Sequence, residues 1–426
     1  MIRALSHPPL VGNLRELRRD PIALFERLRA ECGDLGAIHV GPRRLVVVSS
    51  PELAHEVLVA QADAFEKGPT LRRFARPLLG EGLLAAKNET QRRNRKLVAP
   101  AFTPKRIALN AALMAEEAER AAKRLAGRDV DLCEEMMRLT LAILGRTLFS
   151  VDLSLEAESA RVALETVQRH VESLMKGLVP IPLWVPTAAN RRTRRALAEL
   201  DALIARLVGE RRRGGPERAP DDLLSSLIFA REEGEALSDR EIRDEAMNLF
   251  VAGHETTAFA LAWTFHLLMS NPAAAARLDA ELAAGRDQYA EWVLKESMRL
   301  YPPVHSPGRR VARELVLGGE RLPRGTLLLV STLLLHRRAD LWPEPLAFRP
   351  ERFADERALP KGAYLPFGLG PRNCVGFHFA MAEMLAVLRG LRARVRFEPL
   401  PGKIEPELLV TLRPRFGLPT RIRASG

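Results

Sequence analysis

The chain has 426 residues, 47% of them hydrophobic, and no linker or repeat divides it, so we expect one domain spanning residues 1–426 with a large core. Three cysteines without a C-x-x-C pair argue against a disulfide framework or a zinc site and favour a cytoplasmic location. The net charge of +12 suits an anionic partner, but the charges are spread and aromatic residues make up only 5%, so no nucleic-acid binding is expected.

The first predicted elements are helices and two short strands. Asp20-Pro21 and Ser50-Pro51 are each typical of an N-cap followed by proline at the first helical position. Strands are predicted at 36–40 and 44–48, around a Gly-Pro turn. The sequence then favours helix from residue 88 nearly to 271, after which helix alternates with short strands. These later strands are predicted at 311–317, 326–331, 395–397 and 408–412.

No transmembrane anchor is expected. The N-terminus lacks the apolar core of a signal peptide. The segment 248–269 is almost wholly apolar, but Glu255 lies near its middle with His254 beside it. Because a carboxylate is costly in lipid, this segment is interpreted as a buried helix that faces an interior cavity.

The long helix that contains this segment begins with a capping box, Ser238-Asp-Arg-Glu241. Within it lies Ala252-Gly-His-Glu-Thr-Thr257, where glycine weakens the backbone ladder and threonine can bond the preceding turn, so local opening is predicted. A buried carboxylate beside a hydroxyl is a plausible proton-delivery pair. For Glu255 and Thr256 alone, however, a polar helix face is the more frequent explanation.

Two further motifs follow. Lys295-Glu-Ser-Met-Arg-Leu300 places Glu296 and Arg299 on one helical face, directly before Tyr301-Pro-Pro303. Pro350-Glu-Arg-Phe353 then precedes the stretch Phe367-Gly-Leu-Gly-Pro-Arg-Asn-Cys-Val-Gly376. Its glycines permit a tight turn, and the helical pattern that begins at Val375 puts Cys374 at a helix N-terminus, where the pKa of a thiol is expected to be lowered. A lone thiolate of this kind suits an axial metal ligand.

Together these motifs resemble those of the cytochrome P450 superfamily, and the resemblance covers the chain from about Pro8 to its end. It implies a mainly α fold with small β-sheets, in which haem b is buried between the long distal helix and the helix after the cysteine loop. Cys374 would be the axial thiolate ligand of the iron. The other haem-binding residues of the loop would be Phe367, Gly368, Arg372 and Gly376.

The resemblance also assigns roles elsewhere in the chain. Thr256 would be the proton-relay alcohol and Glu255 the acid, with Ala252 and Gly253 beside the distal haem face. A structural triad that locks the cysteine loop, without a part in catalysis, would comprise Glu296, Arg299 and Arg352.

Haem propionates need cations, and Arg372, Arg309 and Arg95 fall where the family places them. Arg310 competes closely with Arg309 for this assignment. Gln91 stands where the family often has tryptophan, which leaves that propionate contact uncertain. The remaining cations of the same helix, Arg92, Arg93 and Lys96, form either a solvated face or a docking surface for an acidic electron donor.

The activity implied is that of a haem-thiolate monooxygenase, which uses dioxygen and two external electrons to hydroxylate an apolar small molecule such as a carotenoid, a fatty acid or a terpenoid. No flavin or nicotinamide fingerprint and no iron–sulfur cysteine set follows, so a ferredoxin with a separate reductase is the expected donor. The apolar stretches 68–84, 178–186, 304–307 and 411–412 match regions that line the substrate pocket in the family.

The carboxyl-terminal stretch Thr411–Pro419 and the 56 arginines among 65 basic residues are similar to the thermophile carotenoid-hydroxylating type, so a thermophilic source is predicted. GC-rich codon usage explains the arginines equally well. Two alternative functions remain. One is a peroxygenase or a P450-like isomerase without external electrons, whose members usually depart from the acid–alcohol pattern that Glu255 and Thr256 keep. The other is a basic helical binding protein without enzymatic activity.

Overall fold

The computed structural model describes residues 2–68, 75–151, 157–176, 181–229, 231–232 and 235–425. Two of the stretches assigned to the substrate pocket are only partly covered: residues 69–74 of the first and 178–180 of the second lie outside the described residues.

Local sequence explains where several helices begin. The Asp20 carboxylate accepts a hydrogen bond from the Ala23 N–H (3.0 Å), and the Ser50 hydroxyl accepts one from the Leu53 N–H (3.2 Å), each with proline at the first helical position. The helices of the first half are α1 (Leu14–Arg19), α2 (Pro21–Cys32), α3 (Pro51–His55), α4 (Asn88–Val98), α5 (Pro104–Leu125), α6 (Leu132–Leu148), α7 (Ala157–Lys176), α8 (Ala188–Gly214) and α9 (Leu223–Phe229).

The second half contains the longest described helix, and the capping box predicted for it is present. The Ser238 hydroxyl accepts from the Glu241 N–H (3.3 Å), and the Ser238 N–H donates to the Glu241 carboxylate (2.9 Å). The helices of this half are α10 (Asp239–Ser270), α11 (Pro272–Ala283), α12 (Gln288–Leu300), α13 (Thr332–Leu335) and α14 (Phe377–Arg392).

The strands are short and form one main sheet with several smaller ones. They are β1 (Leu35–Val40), β2 (Arg43–Val48), β3 (Phe65–Lys67), β4 (Arg128–Asp131), β5 (Arg231–Glu232), β6 (Glu235–Ala236), β7 (Gly308–Val311), β8 (Leu315–Leu317), β9 (Glu320–Leu322), β10 (Leu327–Val330), β11 (Val395–Pro399), β12 (Pro406–Leu408), β13 (Leu412–Pro414) and β14 (Pro419–Ala424). The main sheet has the order β1-β2-β10-β7-β3, and a second sheet has the order β11-β14-β4. Three two-stranded sheets pair β12 with β13, β5 with β6 and β8 with β9.

The predicted class, mainly α with small β-sheets, is confirmed. Four of the predicted strands lie within two residues of β1, β2, β10 and β11. The strand predicted at 408–412 is wrong: this stretch is the turn of a hairpin between β12 and β13, closed by a hydrogen bond from the Leu409 N–H to the Thr411 carbonyl (3.1 Å). The strand predicted at 311–317 is in fact the end of β7 and the whole of β8.

Helix α10 crosses the main core. In its first half, Phe250 stacks on Phe149 with 4.2 Å between ring centroids, and in its second half Trp263 stacks on Tyr301 at 3.9 Å. Each such pair stabilises the fold by about 0.5–1.5 kcal/mol beyond the burial of its area. The helix is thereby fixed against the end of α6 and the end of α12. Within the described part of the chain, no helix is both long enough and apolar enough to cross a bilayer.

Candidate functional site

The cysteine loop depends on glycines that adopt left-handed backbone angles. Gly368 and Gly370 have φ of +70° and +71°, and a Cβ on Gly370 would lie 2.0 Å from the Leu58 carbonyl oxygen. These angles bring the Cys374 N–H to the Phe367 carbonyl oxygen at 2.8 Å, which closes the loop. Helix α14 begins at Phe377 with Gly376 as its N-cap, two residues later than predicted.

The Cys374 thiol lies just before this helix. The residue is exposed to solvent, although protein atoms surround much of its sulfur. The N–H of Gly376 and the charge of Arg95 act to lower its pKa, but burial outweighs both and raises the pKa of the thiol above its usual value. The predicted lowering is therefore wrong for the protein alone. A metal cation would hold the sulfur as thiolate, and an accessible thiol beside backbone N–H groups fits such a ligand.

A group of cations lies at one edge of the main sheet. In the pairing of β3 with β7, Lys67 stands directly opposite Arg309, whose side chain is only 7% exposed. Burial, followed by the charges of Arg309 and Arg372, lowers the pKa of Lys67 to about 7. Burial and the charge of Arg372 lower the pKa of Arg309 to about 10. The charges that shift both pKa values are thus cationic, and this group of side chains suits an anion such as a pair of propionates.

Arg372 and Arg95, both predicted to bind haem propionates, contact different parts of the protein. Arg372 donates to the Ala86 carbonyl and to the Asn88 side chain, both at 2.9 Å, and its charge acts on Lys67 and Arg309. Arg95 instead donates to the carbonyl and the side-chain oxygen of Asn373, at 2.7 and 2.5 Å. Arg95 therefore holds the residue before Cys374, and its contact with a propionate remains a prediction.

Gln91 also contacts the cysteine loop: its side-chain amide donates to the Pro371 carbonyl (3.2 Å).

Arg309 and Arg310 compete for the same propionate assignment. The Arg310 side chain donates to the Glu66 carboxylate at 2.9 Å and is 43% exposed. Arg309 is the buried member of the two.

The motif in the middle of α10 does not interrupt the helix, so the predicted local opening is absent from the described structure. The Thr256 hydroxyl donates to the Ala252 carbonyl one turn earlier, at 2.6 Å. A Cβ on Gly253 would lie 2.2 Å from Leu144 Cδ1, so glycine leaves room here for the Leu144 side chain of α6. Residues Ala252, Gly253 and Thr256 are all partly accessible, as expected of a helix face beside a cavity.

The hydrogen bonds of the Glu255 carboxylate are made to residues other than Thr256. Its carboxylate accepts hydrogen bonds from the Gln168 amide (2.8 Å) on α7 and from the Thr411 hydroxyl (2.9 Å) in the β12–β13 turn. Burial raises the pKa of this carboxyl to about 7, although the Thr411 bond acts in the opposite direction. The acid and the alcohol of the motif are therefore neighbours in sequence whose hydrogen bonds run to different partners.

The three residues predicted to form a structural triad lie together. Arg299 donates to both oxygens of Glu296, at 2.7 and 2.8 Å, and both side chains are fully buried. Arg352 donates to the same carboxylate at 3.1 Å, as does the backbone N–H of Arg349 at 2.9 Å. Arg299 also donates to the carbonyls of His336 and Pro345, each at 2.7 Å, and so fixes the chain that leads to the cysteine loop.

His336 is a buried residue that sequence reasoning missed. Its Nε2 accepts from the Leu365 N–H (2.8 Å), two residues before Phe367, and its Nδ1 lies 3.2 Å from the Arg299 carbonyl. Burial lowers the pKa of His336 to about 3, so the imidazole is neutral and donates through Nδ1. Its position between the triad and the loop follows from contacts distant in sequence, which no local motif signals.

Two of the stretches assigned to the substrate pocket are joined. The Leu412 N–H donates to the Pro303 carbonyl (2.9 Å), and His305 Nε2 lies 2.9 Å from the Leu409 carbonyl. Val304 beside them is 42% exposed, whereas Leu412 is buried. The β12–β13 turn and the segment after α12 therefore form one wall.

Comparison with known proteins agrees with this arrangement. The family model described as Cytochrome P450 matches residues 5–420. The chain is 37% identical to cyclooctatin synthase and 36% identical to cyclooctat-9-en-7-ol 5-monooxygenase, both from Streptomyces melanosporofaciens. These matches cover 95% of this chain and 92% of the first relative, and 92% of this chain and 89% of the second. Pentalenene oxygenase from Streptomyces avermitilis is 32% identical over 95% of this chain and 93% of its own length.

Proposed function

The chain belongs to the cytochrome P450 family, and from this membership we propose that its substrate is a terpenoid hydrocarbon or alcohol. The protein is a haem-thiolate monooxygenase whose haem b takes the Cys374 thiolate as axial ligand. When bound, the haem supplies the iron that activates dioxygen, so that one oxygen atom enters a substrate C–H bond and the other leaves as water after uptake of two electrons and two protons. The protein's own residues bind the substrate, orient it and supply the protons.

The observation that carries the substrate proposal is the set of relatives, two of which are named for cyclooctat-9-en-7-ol and pentalenene and match nearly the whole chain. The exposed apolar side chain of Val304, beside the β12–β13 turn, supports it, because a hydrocarbon is bound by burial of apolar surface. Carotenoids and fatty acids are the competing substrates. Substrate-binding difference spectra across matched sets of cyclic terpenoids, carotenoids and fatty acids test this proposal, and saturable binding confined to carotenoids or to fatty acids would contradict it.

We assign Lys67, Arg309 and Arg372 to the haem propionates. The support is that the half-buried Lys67 and the buried Arg309 face each other across paired strands while the charge of Arg372 acts on both, an arrangement that an anion stabilises. Arg95 and Gln91 position the cysteine loop through Asn373 and Pro371. Phe367, Gly368 and Gly376 would lie against the face of the porphyrin on the Cys374 side. Ala252 and Gly253 would lie against the opposite face.

We assign proton supply to Thr256 and Glu255. A carboxyl whose pKa is about 7 can both take up and release a proton near neutral pH, which is what a relay requires. In the described conformation the Thr256 hydroxyl is held by Ala252 and the Glu255 carboxylate by Gln168 and Thr411. A proton therefore passes between the two side chains through water or after rotation of the Glu255 side chain.

Electrons would come from a separate acidic ferredoxin with its own reductase, and the protein would work in the cytoplasm. The support is the basic α4, where Arg92 and Lys96 are exposed and Arg95 contacts the residue before Cys374. Arg92→Glu should slow reduction by such a ferredoxin and weaken its dependence on salt, whereas Arg194→Glu on α8 should not. Equal effects of the two variants would contradict docking at α4.

A thermophilic source would fit ion-pair networks in which a largely buried arginine bonds two carboxylates. Arg146 bonds the Glu116 and Glu117 carboxylates at 2.8 and 2.5 Å, and Arg338 bonds those of Asp34 and Asp340, each at 2.6 Å. Networks of this kind stabilise more at high temperature, since the cost of desolvating charges falls as temperature rises. Thermal unfolding at low and high salt tests the proposal, and a midpoint typical of mesophilic domains would contradict it.

A further inference from the structure

The Glu255 carboxylate is held from two separate elements. Gln168 on α7 donates to its Oε2 at 2.8 Å, and Thr411 in the β12–β13 turn donates to its Oε1 at 2.9 Å. Each oxygen therefore has one donor, and neither donor belongs to α10. The Thr256 hydroxyl, on the next residue of α10, donates to the Ala252 carbonyl and so takes no part in this arrangement.

A second layer of charge surrounds the same carboxylate. Glu172 lies one turn after Gln168 on α7, and Arg413 lies two residues after Thr411 on β13. Both guanidinium Nη atoms of Arg413 contact the Glu172 carboxylate at 3.1 Å, and Arg413 also contacts Glu407 at 3.4 Å. The pair spans the same two elements as the two donors, so α7 and the hairpin are joined to each other as well as to α10.

We propose that Gln168 and Thr411 are positioning residues that favour the ionised form of Glu255 and keep its carboxylate turned toward α7 and the hairpin rather than toward the Thr256 hydroxyl. The inference rests on the proposed role of Glu255 as the acid of the relay. The further point is that residues outside α10 set the pH at which Glu255 takes up its proton.

Each neighbour raises or lowers the pKa of Glu255 according to whether it destabilises or stabilises the negative charge of the carboxylate. Burial raises the pKa of Glu255 and the Thr411 bond lowers it. Because hydrogen-bond donors favour the carboxylate, we expect the Gln168 bond to lower the pKa as well. Glu172 raises the same pKa by repulsion, and Arg413 lowers it. Removing one donor should raise the pKa by about one unit, which is the size expected for a bond to a charged group. Removing the charge of Glu172 should lower it.

The test is an infrared titration of the haem-loaded protein that follows the band of the protonated carboxyl group, with Glu255→Gln to assign the band. We expect the midpoint to rise in Thr411→Val and in Gln168→Leu, and to fall in Glu172→Gln. Thr411→Ser keeps the donor and should leave the midpoint in place. Thr147→Val, which removes a buried hydroxyl bonded to its own helix at Ile143, is the control for a general effect on packing.

Each donor is judged separately: one whose removal leaves the midpoint unchanged is not a positioning residue, and unchanged midpoints in both variants overturn the proposal. A fall in place of a rise in either variant overturns it as well. The outcome is independent of the relay itself, because the midpoint reports the ionisation of Glu255 whether or not it delivers protons. The relay is tested by product formed per electron in Glu255→Gln, and an unaltered yield there would refute the proposed function while the midpoints still stood.

Discussion

Lys67 and Arg309 face each other across the antiparallel pairing of β3 with β7, where Arg309 is buried and Lys67 is half-buried. Like charges directly opposite in a sheet destabilise it by up to about 1 kcal/mol. Without an anion between them the two cations therefore weaken the fold, and with the propionates in place they contribute to cofactor retention.

The first prediction follows from this pair. Lys67→Met should make the haem-free protein more resistant to urea, because it removes the repulsion, while the haem-loaded protein should release haem faster. Arg310→Met, on the paired strand β7 but bonded to Glu66 at the surface, should change neither property appreciably. A loss of urea resistance in the haem-free Lys67→Met protein would show that the lysine has another partner.

The same lysine predicts a pH dependence. In the folded haem-free protein the pKa of Lys67 is about 7, against an ordinary 10.5, so between these values the unfolded chain binds more protons. The free energy of unfolding should consequently rise as pH increases from about 7 toward 10.5. Urea titrations at several pH values measure this slope, and it should be smaller in Lys67→Met than in the parent.

The iron ligand gives the next prediction. Cys374→Ser should lose the red-shifted ferrous–CO band of a thiolate-ligated haem, since a hydroxyl donates far less charge to the iron. Cys32→Ser, at a half-buried cysteine of α2, should keep the band. If Cys374→Ser kept it too, a different side chain would have to be the ligand.

Local signals in the sequence were enough for part of this site. The cap of α10 at Ser238, the spacing of Glu296 and Arg299 and the glycines around Cys374 each act within a few residues, so their geometry follows from sequence. The sequence predicts one strand at 408–412 where the structure has a hairpin, because a short apolar run does not distinguish a strand from a tight turn.

The contacts that sequence could not supply are those between distant segments. Lys67 is inconspicuous in Phe65-Glu-Lys67 until β3 pairs with β7, and Gln168 is one polar residue among many on α7 until it reaches Glu255. The pKa of Cys374 was misjudged for a related reason. The helix terminus is visible in the sequence, whereas the burial that outweighs it depends on how the whole chain packs.

For the relay, Thr256→Ala should lower the yield of product per electron at least severalfold and raise peroxide release, with haem content unchanged, because the hydroxyl that passes the proton is gone. Thr256→Ser should largely restore coupling. Thr257→Ala removes the neighbouring buried hydroxyl and serves as the control. Full coupling in Thr256→Ala would exclude the hydroxyl from proton delivery.

For the triad, Arg299→Lys should destabilise the protein by about 3 kcal/mol, because an ammonium group cannot bond both oxygens of the fully buried Glu296 as the guanidinium does. Urea unfolding measures the loss, and haem content should fall with it as the cysteine loop loosens. Arg349→Lys provides a matched control, since that side chain is half exposed and bonds Glu344 instead of the triad. Equal losses of unfolding free energy in the two variants would show that the buried Glu296–Arg299 pair stabilises the protein no more than a surface ion pair does.

The last prediction concerns acid stability and His336. In the folded protein its pKa is about 3, against an ordinary 6.5, so between these values the unfolded chain binds the additional proton. Stability should therefore fall as pH drops below about 6.5, by up to about 1.4 kcal/mol per pH unit from this residue. His336→Asn should be less stable at pH 7, since Leu365 and Arg299 lose their partner, but its unfolding free energy should depend less steeply on pH between 6.5 and 4. His378→Asn, at an exposed histidine of α14, should keep the parental slope. A parental slope in His336→Asn would mean that the proton taken up on acid unfolding binds elsewhere.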